Sequence, residues 1–258
     1  MTHPRKLPFD GIRNFRDFGG YAGTNGNLAS ARLFRSGHHA LASDADLERL
    51  EAMNIAAVID LRRPHERAFA PSRRWSGFRA TLIENDDGDE GNESWEDFQA
   101  RWDMTPESFR DYQQRYYARA PFLPRLNDLY ARAFETIATA DGAVLIHCAA
   151  GKDRTGVLVA LIHAMAGVHR DDIIADYLLT NDPNWTDIAT RWAKDIETRR
   201  GRAPGMDAMQ AALWVDARYL DTALTAIAER HGNVETYLRD ALGVDAKRRS
   251  TVLRRLFS

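Results

Sequence analysis

Apolar positions along this chain recur with two different periods, and the switches between them outline the elements. Asn14 to Tyr21 and Ala31 to Arg35 read as short strands, and Asn25-Gly26 between them suits a tight hairpin turn that needs positive φ. Ser43-Asp44-Ala45-Asp46 opens a helical stretch that runs to Met53, with Ser43 as N-cap and Asp46 three residues on. Ile55 to Leu61 is a continuous apolar run of buried-strand length, and Phe78 to Ile83 is a further strand candidate. The acidic, glycine-containing stretch Glu84 to Gly91 reads as an exposed loop.

Helical periodicity then takes over. Trp95 to Ala118 is rich in aromatics and arginine, and Thr105-Pro106 starts a second helix within it. Between Leu123 and Ala140, Leu126, Leu129, Ala133, Phe134 and Ile137 line one face of an amphipathic helix. Ala143 to Ile146 is a short apolar strand, and Thr155 to Ala166 is apolar almost all round, as a core helix is. Arg170 to Thr180 is helical. Asn181 to Ala212 is polar, contains tryptophan and is broken by Pro183, Gly201 and Pro204, so it reads as an insertion or flap. Leu213 to Arg230, Val234 to Leu242 and Asp245 to Phe257 complete a helical C-terminal third. Together these predict an α/β fold, a central mixed sheet of about four to five strands flanked by helices, in one domain spanning 1–258.

Bulk properties narrow the function classes. With 44% hydrophobic and 28% charged residues the composition is that of a globular domain. A net charge of -2 gives no electrostatic ground for a nucleic-acid partner. One cysteine excludes an intramolecular disulfide and every multi-cysteine zinc pattern. His38, His39, His163 and His169 form no metal-site pattern, and neither metal nor cofactor is called for. No run has membrane-spanning length, and Met1 to Asp10 has basic residues but no apolar segment after them. Cytoplasmic residence is the default, with export by a route that reads no such signal left open. Basic groups at Arg62 to Arg79 and Lys247 to Arg255 read either as solvated faces or as a surface for peripheral association with anionic membranes.

The chemistry concentrates in His147-Cys148-Ala149-Ala150-Gly151-Lys152-Asp153-Arg154-Thr155-Gly156, between the apolar strand and the core helix. Loop amides in that setting point at an anion, and the helix dipole adds positive potential. Gly151 permits a turn that a Cβ would obstruct. Arg154 offers a planar fork for two phosphate oxygens. The same field favours a thiolate at Cys148, since a free thiol near ~8.5 falls to roughly 3.5–7.5 in such surroundings. His147 is read as fixing the loop by hydrogen bonding. A thiolate attacking phosphorus gives a phosphocysteine that water cleaves, so phosphate monoester hydrolysis is the expected reaction. The leaving group needs a proton. Tyr116 to Arg125 holds no carboxylate, and Asp111 and Asp128 only flank it, so Asp153 inside the loop is the economical donor; its alternative is a carboxylate that pairs with Arg154 or caps the helix. Thr155 is a candidate hydroxyl donor to the sulfur. Lys152 reads as a cation at the mouth that favours multiply anionic substrates, or as a plain exposed lysine. Asp60, at the end of a buried strand, either orients Arg154 or touches substrate, or else pairs with Arg62 or Arg63.

These residues resemble the cysteine-dependent protein tyrosine/dual-specificity phosphatase superfamily, whose signature is His-Cys, five residues, Arg. Gly151 to Gly156 more closely resembles the bacterial atypical phosphatases, exemplified by secreted mycobacterial and listerial enzymes that act on phosphotyrosine and phosphoinositides. Asn14-Phe15-Arg16-Asp17-Phe18-Gly19-Gly20-Tyr21, Leu33 to Gly37 and Asp60-Leu61-Arg62 carry the same likeness, which runs from about residue 12 to Asn181 and more loosely through Tyr237 to Leu242. The resemblance implies a cysteine-phosphatase (dual-specificity-like) fold, Cys148 as nucleophile, Arg154 as phosphate ligand, Asp153 as in-loop acid and a broad substrate range through Lys152. It further implies a phosphorylated protein or phosphoinositide as partner and a helical lid, a role open to 181–212 alongside that of a surface-packed helix pair. A rhodanese-type sulfurtransferase and an inactive phosphate-binding module remain the rival classes.

Overall fold

The computed structural model describes residues 5–88 and 95–258. Residues 1–4 of the basic N-terminal stretch and 89–91 of the expected acidic loop lie outside them. Strands β1 (Arg16–Asp17), β2 (Ala22–Gly23), β3 (Gly26–Asn27) and β4 (Leu33–Ser36) open the chain. Helix α1 (Asp44–Glu51), β5 (Ile55–Asp60), α2 (Pro64–Phe69) and β6 (Thr81–Ile83) follow, and then α3 (Trp95–Arg101), α4 (Pro106–Arg119) and α5 (Pro124–Thr139). After β7 (Ala143–His147) the chain is helical: α6 (Asp153–Met165), α7 (Arg170–Leu178), α8 (Thr186–Arg200), α9 (Met206–Leu213), α10 (Ala217–His231), α11 (Val234–Asp240) and α12 (Ala246–Leu256).

The main sheet has five strands in the order β1-β4-β7-β5-β6. β4, β7, β5 and β6 run parallel, and β1 pairs antiparallel with β4. This is the mixed sheet the patterning predicts. One local expectation changes. β1 and β4 do pair, but no tight turn joins them. The Asn25-Gly26 signal belongs to a separate hairpin in which β2 pairs with β3, and the positive φ, 110°, falls on Gly26. The predicted Asn14–Tyr21 strand shrinks to two residues because Phe18 and Gly20 bond to Leu33 and Leu28 as loop, outside a ladder.

Alternation along the central strands sorts side chains onto two faces. Val144 and Ile146 of β7 join a large core with α5, α6, α10 and α12, whereas Ala143 and Leu145 join a smaller one with Ile12, Phe15, Phe34 and Leu50. In β5 the register shifts between Ile55 and Ala57, so Ile55 and Val58 both reach the smaller core although three positions apart. The caps follow the sequence signals. Ser43 and Asp46 form a reciprocal capping box on α1, and Thr105 caps α4 ahead of Pro106. The α5 face is buried at the positions its periodicity marks, and α6 is buried nearly all round.

The 181–212 stretch is more ordered than its breakers suggest. Gly201, at φ 74°, ends α8, and the chain turns back as α9. Phe98, Trp102, Phe109 and Tyr112 of the α3–α4 region pack with Ala189, Ala193, Ile196, Ala208 and Met209 into a third apolar cluster. The base of the excursion is tied: Asn181 donates through Nδ2 to the Val215 carbonyl (3.0 Å) and accepts at Oδ1 from the Val215 amide (2.7 Å).

Candidate active site

The loop from Cys148 to Lys152 leaves the middle strand, β7, at the edge where β4 and β5 also end: His147 is level with Ser36 on one side and Asp60 on the other. Helix α6 starts at Asp153 and directs its N-terminus at the loop, an arrangement that favours an anion there. Gly151 sits at φ 65°, and a Cβ on it would lie 2.2 Å from the Ser36 carbonyl oxygen. No side chain fits, so the tight passage beneath the loop depends on glycine.

Buried cations and amides hold this loop from below. Arg35 donates to the Gly151 carbonyl at 2.9 Å and to Asp176 at 2.8 Å. Arg16 completes the cluster at 3.2 Å from the other Asp176 oxygen, and all three side chains are almost wholly excluded from water. Burial works against each charge; the two guanidiniums outweigh it at Asp176 and hold the carboxyl far below the usual carboxylate range. Arg35 is pulled down to about 10 by burial and by Arg16, so it still carries its charge at neutral pH. Asn14 donates to the Gly151 carbonyl at 2.8 Å and to that of Ala150 at 3.2 Å. Tyr130 donates to the Arg154 carbonyl at 2.9 Å. The likeness carried by Asn14 to Tyr21 and Leu33 to Gly37 thus has a physical content. These segments supply the undercarriage of the anion loop, a job that the residue types alone do not announce.

Arg154 is gripped by Glu66, whose two oxygens lie 2.5 and 2.7 Å from its terminal nitrogens, and a third bond reaches the Leu61 carbonyl. Burial opposes ionisation of both partners. The guanidinium nevertheless takes Glu66 down to about 2, and Glu66 raises Arg154 well above its ordinary value. Glu66 was not singled out from the sequence, where the signal was faint: a Pro-initiated turn of helix right after the β5 strand.

Asp60 is therefore not the residue that orients Arg154. It pairs with Arg62 instead, through contacts of 2.7 to 3.1 Å, the structural alternative read from the sequence. His147 does little to fix the loop by hydrogen bonding. Its Nδ1 is 3.4 Å from the Cys148 carbonyl, its Nε2 has no hydrogen-bond partner, and its ring lies against His39 at 4.6 Å. Burial, opposed by Asp60, takes it down to about 4, so it is neutral at physiological pH. Thr155 is fully buried and its hydroxyl makes no hydrogen bond, so the expected bond to sulfur is not formed. Lys152 departs most from expectation. It is 6% exposed and donates at 2.9 Å to the carbonyl of Ala212 in α9. The cation expected at the mouth is instead engaged with a carbonyl of the 181–212 segment. Ala149 and Ala150 lie in the turn and carry no polar side chain.

Asp153 is partly buried at the first position of α6. Its Oδ1 accepts from the Tyr117 hydroxyl at 2.8 Å, and its Oδ2 is 3.9 Å from Lys152 Nζ. It neither pairs with Arg154 nor is replaced from upstream: Asp111 is exposed and Asp128 bonds Asn85 and Arg132. The carboxylate-free stretch contributes phenols instead, Tyr117 to Asp153 and, just beyond it, Tyr130 to the Arg154 backbone. Among the described residues no group of three or more metal-ligating side chains comes together, and no helix is long and apolar enough to cross a membrane.

This loop, a lone cysteine and an anchored arginine over a helix N-terminus, has counterparts. The family model described as "Tyrosine phosphatase family" matches residues 7–258. The chain belongs to the tyrosine phosphatase family. Among curated proteins, the phosphatase is 38% identical over 244 residues to a protein of Cupriavidus necator named as a tyrosine-protein phosphatase, covering 93% of this chain and 85% of that one. It is 32% identical over 268 residues to the triple specificity protein phosphatase PtpB of Mycobacterium tuberculosis, covering 92% and 93%. A tyrosine-protein phosphatase of Nostoc commune matches at 32% over 144 residues, 54% of this chain and 44% of the other. The matches to the first two cover more than nine-tenths of this chain.

Proposed function

We propose that this phosphatase cleaves phosphate monoesters through a phosphocysteine at Cys148, with phosphotyrosine in proteins as its first substrate class. The Cys148 thiolate attacks phosphorus, an S–P bond forms and the ester P–O bond breaks. Arg154 and the loop amides bind the phosphoryl oxygens, and Asp153 gives its proton to the departing oxygen. Water then attacks phosphorus, its proton passes to Asp153, and the thiolate leaves. The observation that carries the reading is the placement of Cys148 and Arg154 on one anion loop at the N-terminus of α6, with the guanidinium pre-oriented by Glu66. The intact Cys148–Arg154 pair argues against an inactive phosphate-binding module.

Residues 7–258 act in this reading as one phosphatase domain, with α8 and α9 as a lid. The Lys152 bond to Ala212 favours a lid that must lift for a protein substrate to reach Cys148, which is 2% exposed. Lifting it frees the Lys152 ammonium for a second anionic group, which supports phosphoserine, phosphothreonine and phosphoinositide turnover as well. Cys148→Ser is expected to abolish turnover while vanadate still binds; hydrolysis retained by that variant would sink the mechanism. Rates on phosphotyrosine, phosphothreonine and phosphoinositide substrates, compared side by side, rank the classes.

A further inference from the structure

Two buried phenols stand behind Asp153. Tyr117 on α4 and Tyr177 on α7 place their hydroxyls 2.6 Å apart, and the Tyr117 hydroxyl is 2.8 Å from Asp153 Oδ1. Both side chains are essentially sealed from water. Burial first, and then the negative charge of Asp153, push both phenols well above their ordinary value, so each keeps its single proton. That settles the direction of the chain of bonds. A carboxylate oxygen only accepts, so the Tyr117 proton points at Asp153 and the Tyr177 proton points at Tyr117. Tyr177 reaches this place because residue 156 is glycine: a Cβ there would come within 2.8 Å of its ring. On the other side Tyr219 stacks on Tyr117 at 5.6 Å.

We propose that Tyr117, backed by Tyr177, is a positioning residue for the proton donor: it occupies Oδ1 of Asp153 and so reserves Oδ2 for proton exchange with the leaving group and with water. The proposal rests on Asp153 being the acid. A free carboxyl rotates between two nearly equivalent orientations, and either oxygen can carry the proton. A fixed donor on Oδ1 removes that ambiguity. Oδ2, which Tyr117 leaves unoccupied, lies 3.9 Å from Lys152 Nζ. In the forward step the proton leaves Oδ2 for the ester oxygen as the P–O bond breaks; in the return step a proton from the attacking water goes back to Oδ2 as the S–P bond breaks. Tyr117 keeps its own proton throughout.

The test compares Tyr117→Phe, Asp153→Asn and the double variant on phenyl phosphate and 4-nitrophenyl phosphate across pH. General acid catalysis contributes about 10²–10⁴-fold, and loss of its positioning forfeits part of that. Tyr117→Phe is expected to lower kcat about 10- to 50-fold on phenyl phosphate and less than about 3-fold on 4-nitrophenyl phosphate, with KM nearly unchanged. The double variant should be no slower than Asp153→Asn alone. Equal losses on the two esters in Tyr117→Phe, or an additive double variant, overturn the positioning role. Equal losses in Asp153→Asn overturn the acid reading itself, and the two failures are thereby told apart. Tyr177→Phe, which spares the contact to Asp153, should repeat the pattern at about 2- to 5-fold; a flat response there removes Tyr177 from the proposal, and the pattern in that variant still decides the case if Tyr117→Phe does not fold.

Discussion

Asp176→Asn removes the one carboxylate that, among the described residues, pairs with both Arg16 and Arg35. Arg16 and Arg35 are both 0% exposed, and the carboxylate bonds to each of them. Asparagine keeps the shape and an acceptor oxygen, but two buried positive charges lose the carboxylate that pairs with them. Breaking a buried pair in this way costs about 3–5 kcal/mol. For a chain of this size each kcal/mol moves the melting temperature by roughly 2–4 °C, so a fall of about 6–20 °C is expected. The pH dependence gives a second reading. The folded Asp176 carboxyl lies well below its unfolded value, so its contribution is complete above the unfolded pKa of about 3.9 and fades as pH falls toward the folded one. The gap between wild type and Asp176→Asn should stay constant above about pH 5 and narrow below about pH 4. Arg35 also anchors the Gly151 carbonyl, so kcat/KM should fall about tenfold in the folded variant. Scanning calorimetry over pH, with phosphatase rates at a temperature where both proteins are folded, measures all three. A melting point lowered by less than about 3 °C, or a gap that persists unchanged into strong acid, would refute the reasoning. Arg16→Met/Arg35→Met/Asp176→Leu should melt within a few degrees of wild type yet stay slow, because burial without charge is tolerated while the Gly151 carbonyl keeps only the Asn14 amide of its two donors.

Two further variants probe the loop and its cover. Glu66→Gln should weaken vanadate binding about tenfold by calorimetry, since a neutral amide no longer holds both terminal nitrogens of Arg154 in a fork; unchanged affinity would show that the guanidinium is oriented by the Leu61 carbonyl alone. Lys152→Met should speed amide hydrogen exchange across 206–213, as α9 loses its charge-assisted bond from the loop, and equal protection would mean that the apolar cluster with α4 holds α9 unaided.

The catalytic loop was readable because its chemistry is local: Cys148, Gly151, Asp153 and Arg154 are within one turn of chain, and their types dictate an anion site. The sheet was readable for a similar reason, since β5 and β7 carry unbroken apolar runs. What escaped were partnerships across the fold. Glu66 meets Arg154, Arg35 meets Asp176 and Tyr117 meets Asp153 only because β4, β5 and β7 end side by side, α7 packs against α6 and α4 brings Tyr117 to the first turn of α6. No spacing in the chain encodes such meetings. Lys152 was misjudged for the same reason: an exposed-looking lysine became buried through a carbonyl sixty residues downstream. Asp60 had Arg154, Arg62 and Arg63 as candidate partners, and Arg62, two residues away, is the one it pairs with.

The clasp between Asn181 and Val215 gives the α8–α9 excursion a single doorway, with chain going out and coming back through the same pair of hydrogen bonds. Beyond the doorway the excursion rests on α3 and α4 through the third apolar cluster and on the loop through the Lys152 bond to Ala212. The path of α7 into α10 is fixed at the clasp, so changes on the solvent-facing side of α8 and α9 that keep those contacts do not reach the foundations of the anion loop. Side chains on that face can therefore be exchanged with Cys148, Asp153 and Arg154 left where they stand.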